Sequence, residues 1–317
     1  MARLYTTGVT EGGILYDDGS VAENYLTTTK AIFGYGLDGT GAAVAKTNLV
    51  NSYGGVSTDA SGVGTSRAGL AASGYGGDKA IFGYGYAGTS WVSMTNLVSN
   101  LGVVSSDVTG VGTGRSGLAA ASYGTDKGIF AFGSGTGGVK NQSNLVSNIG
   151  VVATDTTGVG TARYDLAAAG YGADKAIFGY GYNGSTSVST VNRVSNLGVV
   201  ATDTSTTTTT RSKVAAATYG YDRAIFTYGV NNAGNFLAIS NIIFNDGTVF
   251  VDSSIIGSPR YSHSGAGYGG DKAIFAYGST GTVTSISTLV TNTGSVGSDV
   301  TGIGTARYGL AGSSYGS

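Results

Sequence analysis

The sequence contains no cysteine and only one proline, one histidine and one tryptophan. Without cysteine there is neither a disulfide nor a thiolate nucleophile, and the redox compartment is left open. With a single imidazole, His263, and no thiolate, no zinc or copper site has enough ligands, and no cofactor is expected. A Ser-His-Asp triad would have to be built on that one residue. Charged residues make up 11% of the chain, against roughly 25% in an ordinary soluble domain, and the formal net charge is -1. Such a surface does not attract a polyanion, so no nucleic-acid partner is expected. No apolar run approaches the ~20 residues that a spanning helix needs, so no membrane insertion is expected either. The first residues, Met1 to Gly8, carry no apolar segment of signal-peptide length. If the protein works outside a cell, it is expected to leave the cytoplasm where it is made by lysis or by a route not written here.

What is abundant is glycine, 57 residues, interleaved with Ile, Val, Phe and Tyr. Glycine without proline in such surroundings reads as tight β-turns rather than disorder. One motif recurs. Lys30-Ala31-Ile32-Phe33 returns at Lys79, Lys127, Lys175, Arg223 and Lys272, in steps of 49, 48, 48, 48 and 49 residues. A fixed period of that size denotes a repeat architecture.

Each copy follows one plan. Asp174 to Gly181 forms a strand, a Gly/Asn/Ser loop follows, a second strand runs from Val188 to Val194, and a third from Val199 to Asp203. A Gly/Thr loop then leads to an arginine that opens a fourth strand, as in Arg163 to Gly172. Four strands of ~5–6 residues with their turns fill ~48 residues, one propeller blade. Helix fails for the Leu-Ala-Ala-Ala stretches because glycine falls every few residues. Tyr-Gly-Gly-Asp-Lys and its equivalents read as hairpin turns.

Residues 30–317 therefore predict an all-β, six-bladed β-propeller of four-stranded blades. The chain ends at Tyr315-Gly316-Ser317, equivalent to Tyr75-Gly76-Gly77, and the array begins at Lys30, equivalent to Lys79. The ring is thus cut inside one hairpin turn, and the C-terminal strand completes the first blade, which leaves no exposed edge. Residues 1–29 do not match the repeat and are too few for a seventh blade. They predict an N-terminal arm that anchors the propeller to a partner.

Several columns can be assigned. Ile81, Phe82 and their equivalents pack between neighbouring blades. Tyr75, Tyr123, Tyr171, Tyr219, Tyr268 and Tyr315 recur before the turn. Asp59, Asp107, Asp155, Asp203, Asp252 and Asp299 recur eight residues before Arg67, Arg115, Arg163, Arg211, Arg260 and Arg307. Six identical Asp/Arg sets are expected to be ion pairs or loop braces rather than six active sites.

The run Arg-x-x-x-Ala-Ala-(Ala/Ser)-x-Tyr-Gly-x-Asp-Lys-Ala-Ile-Phe-Gly-Tyr-Gly, followed by a loop and Asn-x-Val, resembles the kelch motif over residues 30–317. The kelch Gly-Gly pair is opened here to Gly83-Tyr84-Gly85, and the kelch Trp is missing, since Trp91 lies in a loop. The resemblance implies four-stranded propeller blades. In style, the near-identical Gly/Ser/Thr-rich copies also resemble repeat proteins of tailed-bacteriophage particles. That second resemblance implies a structural virion protein (fibre, spike or decoration subunit) joined to other virion proteins through residues 1–29.

Gly83 to Gly88 fits G-x-G-x-x-G, as do Gly34 to Gly39 and Gly179 to Gly184, but each run leaves a strand for a β-loop rather than opening a helix, so no nucleotide site is expected. Glycosidases need paired carboxylates, and the only glutamates, Glu11 and Glu23, lie in the arm. His263 takes the place of Leu166 and Leu310 and is expected to line the channel. The chain is therefore expected not to be an enzyme. The loop after the Lys-Ala-Ile-Phe strand varies in every copy, and Tyr86, Trp91, Tyr182, Asn183 and Phe236 within it are the candidate ligand-binding residues. Aromatic rings beside Asn and Ser stack on sugars and bond their hydroxyls. The expected function is a loop face presented to a host cell-surface glycan or a neighbouring subunit. A free lectin-type propeller and a kelch-like interaction scaffold are the alternatives. The fifth copy, with Val249-Phe250-Val251, is the most apolar and is expected to contact another chain.

Overall fold

The computed structural model describes residues 29–316, together with a short antiparallel pair, Gly13–Leu15 with Val21–Glu23. Apart from that pair and Thr29, the expected arm over residues 1–29 lies outside the described residues. Among the described residues every regular element is a strand. The architecture is all-β and propeller-like, a set of antiparallel sheets that each begin with a small-residue strand.

In the second sheet, Ala71–Tyr75 pairs with Lys79–Gly83, which pairs with Thr95–Val98. The same order recurs for Ala119–Tyr123 with Lys127–Gly135 and Gly138–Val146, and for Ala167–Tyr171 with Lys175–Gly179 and Val191–Val194. It recurs again for Ala215–Tyr219 with Arg223–Thr227 and Ile239–Ile243, and for Ser264–Tyr268 with Lys272–Ala276 and Ser287–Val290. In the first sheet the inner strand comes from the other end of the chain: Ala311–Tyr315 pairs with Lys30–Gly34, which pairs with Thr47–Val50. The expected seam is therefore present as a strand pairing.

The outer, fourth segment is thinner than the repeat suggests. In the second sheet it touches its neighbour at Val98–Val104 and Thr95–Val108. Between those points it has one residue more than its partner, a bulge that turns Asp107 inward. Only the sixth sheet carries it as a full strand, Val296–Val300. The second strand is also shorter than expected, Val191–Val194 instead of Val188 to Val194. The expected strand from Arg163 to Gly172 is broken as well. Asp165 stands at φ 54° between the arginine and the strand Ala167–Tyr171. The left-handed residue ends one extended segment and starts another.

The middle strand is buried on both faces, so it reads as a continuous apolar run rather than an alternating one. Its consecutive side chains face opposite neighbours, as expected. Phe82 packs with Ile32 and Tyr35 of the first sheet, and Ile81 packs with Phe130 of the third. The recurring tyrosines lie under the next sheet. A Cβ on Gly150, at φ 81°, would stand 3.0 Å from the Tyr75 ring, so that turn needs glycine for both its angle and its clearance.

Three series of backbone hydrogen bonds join successive sheets, and each returns to its start. At one end Gly117, Asp165, Lys213, Ser262, Gly309 and Gly69 each donate their N–H to the carbonyl of the equivalent residue in the preceding sheet, at 2.7–3.1 Å. At the hairpin-turn end Gly76, Gly124, Gly172, Gly220, Gly269 and Gly316 donate to Asp126, Asp174, Asp222, Asp271, Thr29 and Asp78. Between them Gly36, Gly85, Gly133, Gly181, Gly229 and Gly278 donate to the carbonyls of the six repeated arginines.

Candidate functional site

The repeated Asp and Arg are used up in building the scaffold. Arg67 is fully buried. Its Nε donates to the Tyr84 carbonyl at 2.7 Å and its Nη2 to Asn96 Oδ1 at 2.7 Å, while its guanidinium lies 4.4 Å above the Tyr35 ring of the preceding sheet. All six arginines stack in this way on the aromatic residue that closes the middle-strand run of the preceding sheet and is followed by glycine, Phe132 standing in for tyrosine once. Asp107 accepts from Thr65 N–H and Oγ1 and from Asn96 Nδ2. Burial opposes its ionisation, but the hydrogen bonds from Thr65 and Asn96 outweigh that and hold the carboxyl below the usual range. The loop entering each sheet is thereby pinned to that sheet's outer segment. In the sixth sheet Thr288 replaces the asparagine and accepts from Arg260 Nη2 at 2.7 Å. These sets are loop braces combined with inter-sheet stacks, as the repeat led us to expect.

Tyr84, which opens the varied loop, sits at φ 64° and is buried. Burial pushes its phenol up to about 12, and the strain of the left-handed residue is offset by packing against Phe130 at 5.2 Å and beneath Arg115.

Beyond that turn lie the candidate residues. Tyr86 and Trp91 come together edge to face at 5.6 Å, 38% and 41% exposed, and Trp91 Nε1 donates to Ser116 Oγ of the next sheet at 3.2 Å. Tyr182 packs against Tyr164 at 5.6 Å. Phe236, 37% exposed, lies 5.0 Å from Tyr261 of the next sheet. The sites are thus three aromatic pairs on separate sheets rather than one cluster. Asn183 serves its own loop, its Oδ1 accepting from the N–H groups of Ser185 and Thr186. The apolar stretch of the fifth copy, Phe250 and Val251, is exposed, with Phe250 resting on Phe244 at 5.9 Å.

Each pair adjoins the channel mouth through the residue after the arginine. Ala68 bridges Tyr86, Tyr164 bridges Tyr182, and Tyr261 lies beside Ser279. The mouth itself is the first of the hydrogen-bonded series, with φ between 51° and 61° at all six positions. Three positions are glycine. The other three, on consecutive sheets, are Asp165, Lys213 and Ser262, followed inward by His263. Sequence reasoning missed the three, although the column Gly69, Gly117, Asp165, Lys213, Ser262, Gly309 was there to be read. Burial pushes the half-buried Asp165 carboxyl up to about 6, with Lys213 pulling it the other way. Lys213 Nζ stands 5.0 Å from the Tyr261 ring. His263 borders the cavity at this mouth, with its ring set against Tyr228 at 5.3 Å and Phe275 at 5.9 Å. It is buried, 3.1 Å from Thr227 Oγ1 through Nε2, and its Nδ1 has no partner. Burial and then the charges of Arg260 and Arg211 hold it neutral.

No protein-family model matches the sequence, and no curated protein matches it. The kelch-like and phage-particle resemblances rest on the residues quoted above.

Proposed function

We propose that the chain is a closed six-bladed propeller that acts as a non-enzymatic binding module. Its loop face is directed at a host cell-surface glycan or a neighbouring subunit, in the setting of a tailed-bacteriophage particle as a fibre, spike or decoration subunit. The three backbone hydrogen-bond series that return to their start support closure, as does the sixth arginine stack, Arg307 over Tyr277. The observation that carries the binding reading is the set of half-exposed aromatic pairs on the face that also holds the polar channel mouth. Aromatic faces beside hydroxyl and amide groups suit sugar rings. The non-enzymatic reading is supported by the repeated carboxylates, each saturated by hydrogen bonds within its brace.

Trp91 is the only tryptophan, so its fluorescence reports on this face alone. Titration with a panel of bacterial-surface oligosaccharides should give a saturable change in emission, and Trp91→Ala with Phe236→Ala should weaken binding to whole cells without lowering Tm. Unchanged cell binding in the double variant would remove the loop face from the reading. Sedimentation of native particles on a density gradient, followed by mass spectrometry, tests the setting. A protein that stays at the top of the gradient favours the free lectin-type module.

A further inference from the structure

Six equivalent turns lead from the third strand of each sheet to its outer segment. Each closes through one backbone hydrogen bond of 2.9–3.0 Å, from Gly54 N–H to the Asn51 carbonyl in the first sheet and from Gly294 N–H to the Thr291 carbonyl in the sixth. The residue before that glycine differs around the ring. In the first four sheets it is Tyr53, Leu101, Ile149 and Leu197, all between 73% and 79% exposed. In the last two it is Asp246 and Thr293. Just after the glycine, Val103, Val151 and Val199 are exposed as well, where the last two sheets carry Thr248 and Ser295. Since Asp246 and Thr293 close the same turn, the fold does not require an apolar side chain there. The exposed residues form an arc over four consecutive sheets, an apolar surface of the kind that marks a contact.

The arc lies beside the hairpin turns. A Cβ on Gly76 would stand 2.9 Å from the Asn148 carbonyl, and one on Gly269 would stand 2.7 Å from the Ser52 carbonyl, so these tips sit against the hairpin turns of the preceding sheets. Gly269 also donates its N–H to the Thr29 carbonyl at 2.8 Å. The chain therefore enters the repeat array next to the Ser52–Tyr53 tip, at one end of the arc. Of the 28 residues that precede Thr29, nine are Leu, Ile, Val or Tyr. Adjacent sheets pack about 10 Å apart and 28 residues reach up to about 90 Å, so the segment is long enough to follow all four tips. Charge favours the same match. Residues 1–28 hold four carboxylates and one arginine, whereas residues 29–317 hold 14 carboxylates and 16 cations. In five hairpin turns the Lys or Arg pairs with the aspartate before it, as Lys79 does with Asp78. In the first sheet Thr29 takes the place of that aspartate, and Lys30 has no carboxylate partner among the described residues.

We propose that the arc over Tyr53, Leu101, Ile149 and Leu197 is the docking surface for residues 1–28 of the same chain. The apolar residues of that segment cover the four tips, and its carboxylates balance the unmatched charge of Lys30. A tethered segment acts at an effective concentration in the millimolar range, so it outcompetes a second copy at roughly micromolar protein. This inference does not rest on the glycan reading, which concerns the channel mouth and its loops. It makes the protein itself the first partner of its N-terminal arm.

The test is hydrogen–deuterium exchange of the full-length protein, read by mass spectrometry at several protein concentrations, with sedimentation measured in parallel. The triple variant Leu101→Thr, Ile149→Thr, Leu197→Thr places the residue of the sixth sheet at each turn and so should fold. Amides of residues 1–28 should exchange at least tenfold faster in it than in the parent, while the middle strands exchange alike in both. Should the triple variant fail to fold, Leu101→Asp alone, which copies the fifth sheet, takes its place and should speed that exchange at least threefold. Equal exchange of residues 1–28 in parent and folded variant overturns the inference. Protection that appears only as concentration rises, together with sedimentation as a dimer, assigns the arc to a second copy and overturns it too.

Discussion

At the scale of single residues, the scaffold depends on a guanidinium that has lost its water. Arg67 and its five equivalents are fully buried, and burial pulls their proton affinity down, in Arg163 to about 10. Such a charge is tolerable because the Tyr84 carbonyl, Asn96 and the Tyr35 ring replace its hydration shell. Truncating one partner of a buried charge leaves the other uncompensated, so Asn96→Ala should cost about 3–5 kcal/mol in urea unfolding. Surface changes nearby should stay within about 0.5 kcal/mol. The brace aspartates set the acid limit. Their folded values lie below the usual carboxylate value, so their stabilisation is complete above about pH 4 and drains away as pH falls below that. Urea midpoints should therefore drop steeply from pH 4 to pH 3, and Asp107→Asn should flatten that drop. Asp165 has the opposite sign. Its raised value means stability is lost as pH rises from about 4 to 6. Asp165→Asn keeps a residue that tolerates the left-handed region, and should melt higher than the parent at pH 7 by about 1 kcal/mol, discounted for solvent contact, but not at pH 3.5. A gain that persists at pH 3.5 would assign the effect to backbone rather than charge.

At the scale of the element, each sheet is a hairpin with a strongly buried middle strand and a weakly attached outer one. The Lys-Ala-Ile-Phe strand carries both inter-sheet contacts, so Ile81→Ala should cost about 2–5 kcal/mol even though one methylene-rich side chain is lost from only one of six copies. The outer segment, held at two points and by the Asp brace, should exchange its amide protons first. The middle strand and the hairpin turns were legible in the sequence because apolar runs and Gly/Asp turns are local signals. The break in the Arg strand was not. Nothing local in Arg163-Tyr164-Asp165-Leu166 demands a left-handed residue. The demand comes from the neighbouring sheet, whose Gly117 carbonyl receives the Asp165 N–H.

At the scale of the whole molecule, the two ends of the repeat array meet in one sheet. Ala311–Tyr315 supplies the inner strand beside Lys30–Gly34, so deletion of residues 308–317 should abolish the cooperative melt, and an unchanged melting curve would overturn the seam. The six turns are equivalent in their hydrogen bonds. A circular permutant of residues 29–317 that joins Ser317 to Thr29 and opens the chain between Gly77 and Asp78 should therefore fold with a Tm within a few degrees of the unpermuted repeat array.

The sequence by itself determined the period, the strand content, the place where the array is cut and the repeated brace residues. All of these follow from local patterns multiplied by six, and repetition makes a weak pattern readable. Tertiary structure decided which single-copy departures matter. Asp165, Lys213, Ser262 and His263 lie in three different repeats and look like scattered variation along the chain. Only the stacking of one inner strand beside the next brings those columns to one rim, because neighbours on successive sheets are about 48 residues apart in sequence and one hydrogen bond apart in space.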